Sequence, residues 1–328
     1  MSSRSAARGT LLSLVELRHR LPVETYVAGL VVLTWMVLAA LSPYFWTSDN
    51  ITNILRQVSI AAIVAFGELF TIILAGIDLS VGSVAGLTGV AFAMMLSGGM
   101  PIVVATFLAL FLGFVIGSVN ALAADRLGIP PFIVTLAGLQ AYRGLALLLS
   151  GGMTIAGIPD PVSEVANASL LGVPMLFIIM VAIGLGSHVM LRYTRLGRYM
   201  YAIGSNIESA RRVGINVTAV TLAAYCLSAV FAAAGGMLLV SRLSMGTPTA
   251  ATGYELEAIA AVVVGGGSLF GGRGTILGCL IGALLFTTIG NGANLLGVDP
   301  FWEMVVEGVL IAVVVYIDNI QKRRRTGL

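Results

Sequence analysis

Charged side chains are scarce in this sequence. Asp, Glu, Lys and Arg make up 10% of its 328 residues, 58% are hydrophobic, and the mean hydropathy is +1.00. Soluble domains carry about 25% charged residues, so an ordinary water-soluble protein is excluded. Lysine is scarcer still, with Lys322 the only one. A phosphate-binding loop needs Gly-Lys-Ser/Thr after a strand, so the chain does not bind ATP in that manner. Cysteine and histidine number two each. Cys226 and Cys279 fall inside apolar runs, where isolated thiols serve as small packing residues, and they offer neither a disulfide framework nor a metal spacing. His19 and His188 are far apart and suggest no metal site.

Lipid-compatible sequence is abundant instead. Long apolar runs recur from Val27 almost to the C-terminus, which indicates an all-α polytopic membrane protein. Ten spans are predicted, near 27–43, 53–75, 79–97, 101–123, 131–150, 173–191, 218–240, 254–268, 274–296 and 301–318. The third and eighth are rich in glycine, so they are candidates for broken or re-entrant helices shielded by protein or water. The chain divides into a segment 1–26, a single transmembrane domain 27–318 with a polar loop at 192–217, and a basic tail 319–328. A cleaved signal peptide would have a shorter charged region and a small-residue cleavage site, so the first span is expected to remain. Tyr44, Phe45, Trp46, Phe301 and Trp302 fall where interfacial anchors belong.

The few basic residues sort by side. Arg4, Arg8, Arg18 and Arg20 precede the first span, Arg192, Arg195, Arg198, Arg211 and Arg212 crowd one loop, and Lys322, Arg323, Arg324 and Arg325 end the chain. With Arg126 and Arg273 these make fifteen of eighteen on one side, leaving Arg56, Arg143 and Arg242 near the other. The positive-inside rule then places both termini in the cytoplasm and the segment 151–172 outside.

Two halves of the sequence resemble each other. Gly76-Ile77-Asp78-Leu79 matches Gly253-Tyr254-Glu255-Leu256, and the helices that follow end in Asn120 and Asn291 before Gly128-Ile129-Pro130-Pro131-Phe132 and Gly297-Val298-Asp299-Pro300-Phe301. The offset is 177 residues at the first landmark and 169 at the last. The landmarks fall on opposite sides of the predicted topology, so spans two to five and seven to ten form an inverted repeat, a plan common in transport paths.

Polar residues inside such a protein are costly and informative. Glu68, Asp78, Glu255, Glu257, Glu303 and Glu307 lie in or at the ends of spans and must face the interior, water or headgroups. Asp78 is placed either to cap the next helix or to meet a substrate. Glu303 and Glu307 share a helix face at i, i+4 and repel unless protonated or paired; Arg143 is a candidate partner. Gly113 and Gly117, and Gly274, Gly278 and Gly282, are spaced for close helix packing. The glycine-rich 265–272 reads as a turn, since no lysine follows it. Within the basic loop, Ser205-Asn206-Ile207-Glu208 reads as a capping box, with Ser205 at the N-cap, Glu208 reaching back, and Gly214 ending a short helix.

These segments resemble the permease subunits of ribose-type ABC sugar importers over nearly the whole chain. The resemblance is carried by Gly76-Ile77-Asp78-Leu79-Ser80-Val81-Gly82-Ser83, by Thr194-Arg195-Leu196-Gly197-Arg198-Tyr199 with Ala202-Ile203-Gly204-Ser205-Asn206, by Gly214-Ile215-Asn216-Val217, by Gly253-Tyr254-Glu255-Leu256-Glu257-Ala258, and by Asn291-Gly292 with Asn294-Leu295-Leu296-Gly297-Val298. It implies an inner-membrane dimer of two permeases, identical or paralogous, fed by a periplasmic binding protein and resting on cytoplasmic ABC ATPases. ATP and Mg would sit on those ATPases, with no cofactor in this chain and no nucleic-acid partner. The resemblance assigns Ser205, Asn206, Glu208, Ala210, Arg211, Arg212 and Gly214 to an ATPase-coupling helix. Asp78, Ser80, Tyr254 and Glu255 are candidates for the path or its gates. For a neutral sugar, Asn120, Gln140, Asn291 and Asn294 are further path candidates, with helix–helix hydrogen bonding as the other reading of each. The rival classes are a proton-coupled secondary transporter, which the intramembrane carboxylates would suit, an amino-acid-type ABC permease, and a passive channel.

Overall fold

Proline and hydroxyl or amide caps set where the apolar runs become helices. The computed structural model describes residues 22–299 and positions 301, 302, 305, 306, 308, 309, 312 and 316. The expectations for the N-terminal arginines, the tenth span as a whole, Glu303, Glu307 and the basic tail lie outside the described residues. Helix α1 is Val23–Leu41, α2 Ser48–Ile73, α3 Val81–Ser97, α4 Ile102–Arg126, α5 Pro131–Ser150 and α6 Asp160–Asn167. A two-stranded antiparallel hairpin follows, β1 (Ser169–Leu170) and β2 (Val173–Pro174). Then come α7 (Met175–Tyr193), α8 (Arg195–Ser205), α9 (Ile207–Arg212), α10 (Val217–Leu243), α11 (Tyr254–Val264) and α12 (Ile276–Leu295). Pro101, Pro130 and Pro174 precede α4, α5 and α7, where a fixed φ suits a helix start. Thr47, Asn216 and Thr275 accept backbone N–H groups at the starts of α2, α10 and α12, as side-chain caps should.

Seven of these helices are long and apolar enough to cross a membrane, and the described residues form a polytopic all-α membrane protein. The two glycine-rich segments fold as short continuous helices: α3 has 17 residues and α11 only 11. At 1.5 Å per residue α11 is about 16 Å long, roughly half a hydrocarbon core.

Helix α2 sits at the centre. Every residue from Val58 to Ile73 is buried, which an apolar helix achieves only when neighbours surround it. Helix α10 lies against it and against α4. A Cβ on Gly117 of α4 would stand 2.7 Å from the Cys226 Cα of α10, and one on Gly282 of α12 would stand 2.8 Å from the Ala261 carbonyl carbon of α11. The glycine spacing is therefore close backbone packing, except that Gly274 lies before α12 rather than on it. Both cysteines are free and buried. Tyr44, Trp46, Phe301 and Trp302 are exposed, whereas Phe45 is fully buried and packs edge-on to Trp35, so Phe45 does not fit the anchor role.

The bundle has two distinct ends. At one, Arg56 donates to the Asn167 carbonyl and Arg242 to Asn53, and the segment 151–172 folds back through α6 and an Ile155–Gly246 bridge. At the other, the ends of α2 and α4 meet α8, α9 and the turn 265–275. Residues 74–76 line this second end, and Glu255 packs in the interior against Gly82.

Asn50 and Asn291 exchange amide hydrogen bonds of 3.1 and 2.8 Å between α2 and α12. Replacing either by Leu leaves a buried amide unpaired and should cost roughly 1–3 kcal/mol. The double replacement should recover most of that loss in thermal unfolding. Additive losses would show that the pair is not coupled.

Candidate functional site

Local geometry at the end of α2 builds a polar centre inside the apolar bundle. The helix closes through Ala75 N–H to the Ile72 carbonyl and Gly76 N–H to the Thr71 carbonyl, each 2.9 Å, with Ala75 held at φ +61°. The chain then turns inward and delivers Asp78, which is fully buried. Asp78 Oδ1 accepts the Ser80 N–H at 3.0 Å and the Ser80 hydroxyl at 2.5 Å, and Oδ2 accepts the Ser228 hydroxyl of α10 at 3.1 Å. Its own N–H donates to Glu68 Oε1 at 3.0 Å. Asn120 of α4 donates to Ser80 Oγ at 3.0 Å and accepts from the Tyr142 hydroxyl of α5 at 2.7 Å. The 76–80 turn, α2, α4, α5 and α10 thus share one hydrogen-bond network around Asp78. Asp78 does not cap α3; the residue at that position is Ser80, whose side chain makes no cap bond.

Glu68 Oε2 and the Tyr225 hydroxyl are buried beside this network without a hydrogen-bond partner. Gly76 leaves room for the Tyr225 hydroxyl, since a Cβ there would lie 2.6 Å from it.

A second polar centre lies toward the opposite end. Arg143, next to Tyr142 on α5, donates from Nη1 to the carbonyls of Pro248 and Ala250 at 2.6 and 2.9 Å. Glu255 turns a buried oxygen, Oε2, into the same region without a hydrogen-bond partner. Gly82 and Gly86 of α3 make the space: a Cβ on Gly82 would run into the Glu255 carboxyl, and one on Gly86 would come 2.6 Å from Arg143 Nη1. Arg143 is therefore held by the 244–253 loop, while Glu303 and Glu307, its expected partners, lie outside the described residues.

The basic loop is a helical elbow. Thr194 caps α8 by accepting the Gly197 N–H, and Arg198 donates to the Tyr193 carbonyl. The capping box shifts by one residue from the expected reading. Ser205 is the last residue of α8 and donates back to the Tyr201 carbonyl, and Asn206 is the true N-cap of α9, accepting the Ser209 N–H at 2.8 Å. An Asn side chain reaches that amide as well as a Ser does. Glu208 does not reach back but pairs with Arg211 at 3.2 Å. Gly214 ends the helix at φ +80°, as expected. Ala210 is buried, while Glu208, Arg211 and Arg212 are exposed.

The elbow is fastened to the bundle through backbone. Gly272 N–H donates to the Ile73 carbonyl at 2.9 Å, and Gly204 lies against both residues. Tyr201 donates its hydroxyl to the Gly274 carbonyl at 2.7 Å; burial pushes this phenol above its ordinary range, which keeps it a donor.

The remaining candidates distribute unevenly. Asn291 makes the helix–helix pair with Asn50. Asn294 is exposed and bonds its own helix at Gly290. Gln140 is on an exposed face of α5. Tyr254 opens α11, partly buried. Sequence reading missed Ser228 and Tyr142, single hydroxyls in apolar helices; only the Tyr142-Arg143 step, polar in mid-span, could have flagged the second. Among the described residues no three His, Cys, Asp or Glu side chains converge as metal ligands.

A helical membrane bundle with buried polar centres and an elbow of exposed charge is the architecture of a membrane transport subunit. The family model for the permease component of branched-chain amino acid transport systems matches residues 50–315. The ribose import permease of Escherichia coli K12 is 42% identical over 292 residues, spanning 86% of this chain and 89% of that protein. The Bacillus subtilis ribose import permease is 42% identical over 293 residues, spanning 89% and 91%. The D-allose transport system permease of Escherichia coli K12 is 36% identical over 286 residues, spanning 87% and 88%. An inward-facing ABC transporter of the metal-chelate type shares the fold at a TM-score of 0.52 and 13% identity, covering 89% of this chain and 99% of that one. The chain belongs to this permease family, in its ribose-type branch of ABC importers.

Proposed function

We propose that this chain is the transmembrane path of an importer for a monosaccharide or related polyol, working as a dimer on cytoplasmic ATPases and fed by a periplasmic binding protein. The substrate class follows the names of its relatives, which are ribose, D-allose and xylose permeases. ATP and Mg belong to the ATPase, and this chain contributes path and linkage rather than chemistry. Its termini and the elbow α8–α9 lie in the cytoplasm, in keeping with the positive-inside bias.

The observation that carries this reading is the elbow. It offers Glu208, Arg211 and Arg212 to a partner and is joined by backbone contacts at Gly204 to Ile73, five residues before the Asp78 network. Movement of α9 therefore has a short, stiff route to the buried polar centre. The ten-span inverted repeat is part of the same proposal. Its support is that residues 76–79 and 253–256 each lead a short helix, α3 and α11. In such a repeat the halves rock about their interface to alternate access.

Reconstitution tests the proposal. Sugar uptake should require the ATPase, the binding protein and ATP together; accumulation by this chain alone under a proton gradient would instead establish a secondary transporter. E208A/R211A should cut uptake and ATPase association at least about tenfold, the equivalent of roughly 1.4 kcal/mol, while the protein keeps its thermal unfolding temperature. Unchanged association would remove the elbow from the coupling role.

A further inference from the structure

A cavity of about 300 Å³ opens where the end of α7, the body of α8 and the start of α12 meet. Its lining is basic and hydroxylic: His188, Arg192 and Arg198, with Tyr201 and Thr275, while Leu191 and Ile276 make an apolar wall. The ion pair found among the described residues joins Glu208 to Arg211, so neither arginine of the cavity is neutralised within them. Arg198 spends one hydrogen on the Tyr193 carbonyl at 3.2 Å, and Arg192 lies 5.9 Å from the Tyr193 ring centre. Glu24 accepts the Thr275 hydroxyl at 2.9 Å and so occupies that hydroxyl rather than a guanidinium.

Two features fix the chemistry of an occupant. Guanidinium groups match the oxygens of a phosphate. The cavity also sits at the end of a membrane-scale helix, where Tyr193 is exposed at the level an interfacial aromatic occupies. Basic pockets between membrane helices take acidic headgroups, and the Leu191 and Ile276 wall offers a surface to acyl chain. We propose that this cavity binds the phosphate headgroup of an anionic phospholipid from the surrounding leaflet. Bound there, the lipid bridges α7 to α8 and steadies the base of the elbow.

The experiment titrates phosphatidylglycerol onto the full-length chain and reads retained lipid by native mass spectrometry, with phosphatidylcholine as reference. R192A/R198A should retain phosphatidylglycerol roughly 30-fold less well. R192K/R198K, which keeps charge and guards against a folding defect, should retain most of it. R126A/R195A, which removes equal charge outside the cavity, should match wild type. Equal retention by R192A/R198A overturns the site, and equal loss in R126A/R195A overturns it in favour of diffuse surface attraction. If inorganic phosphate raises thermal stability in phosphatidylcholine as much as phosphatidylglycerol does, the site takes free phosphate and the lipid is overturned. If R192A/R198A keeps its lipid but loses the co-purifying ATPase, the arginines belong to a protein contact and the proposal fails.

Discussion

Asp78→Ala is expected to abolish uptake and to lower stability by about 3 kcal/mol or more. The reason lies in what is left behind. Removing the carboxyl strands the Ser80 N–H, the Ser80 hydroxyl and the Ser228 hydroxyl, which bond it at 3.0, 2.5 and 3.1 Å in a fully buried site. Each unmade buried bond costs about 1–3 kcal/mol. The damage also spreads. Ser80 Oγ accepts from Asn120, and Asn120 accepts from Tyr142, so reorientation of one hydroxyl loosens α4 and α5 together.

Asp78→Asn separates shape from charge. Its amide oxygen can still accept the two Ser80 donors, and its NH2 can donate to Ser228 Oγ, so thermal unfolding should stay within about 1 kcal/mol of wild type. A fall in uptake at that stability assigns the carboxyl charge to the transport cycle. Wild-type uptake with D78N, together with loss of folding in D78A, assigns the network to packing alone. Full stability and uptake in D78A would remove it from both roles.

Much of the bundle was readable because its signals are local. Hydropathy located the seven long spans from Val23 to Leu295 to within a few residues, since each is a continuous apolar run preceded by Pro, Thr or Asn. Glycine content set α3 and α11 apart from the other spans, and glycine spacing marked α4 and α12 as closely packed helices without naming their partners. The polar centre was legible only in part. Asp78, Ser80 and Asn120 stand out as polar residues at helix ends, but their partners Ser228 and Tyr142 arrive from far along the chain, and a lone hydroxyl in an apolar helix gives no pattern to read. The capping box was misread by one position because Ser205 and Asn206 are both good caps, and what decides between them is that α8 continues through Ser205. The carbonyls of Pro248 and Ala250 that hold Arg143 could not be read either; backbone acceptors leave no trace in composition.

Gly204→Ala should uncouple the transporter without altering any charged residue of the elbow. A Cβ at 204 would lie 2.6 Å from the Gly272 nitrogen and 2.9 Å from the Ile73 carbonyl carbon, and would collide with the Ile73 oxygen. All of these are backbone atoms, so no flexible side chain can swing aside. The same methyl pushes on the 2.9 Å hydrogen bond from Gly272 to Ile73. Overpacking of this kind costs about 1–3 kcal/mol, and here the strain is relieved most easily by lifting α8 and α9 away from α2. The protein should therefore remain in the membrane while uptake falls at least about tenfold and the ATPase loses its stimulation by loaded binding protein. Gly144→Ala on α5 is the matched control, because a Cβ there meets nothing within 4 Å and should stabilise the helix by about 0.5–1 kcal/mol. If G204A transports like G144A, the backbone contact at Ile73 is not the route by which the elbow moves the polar centre.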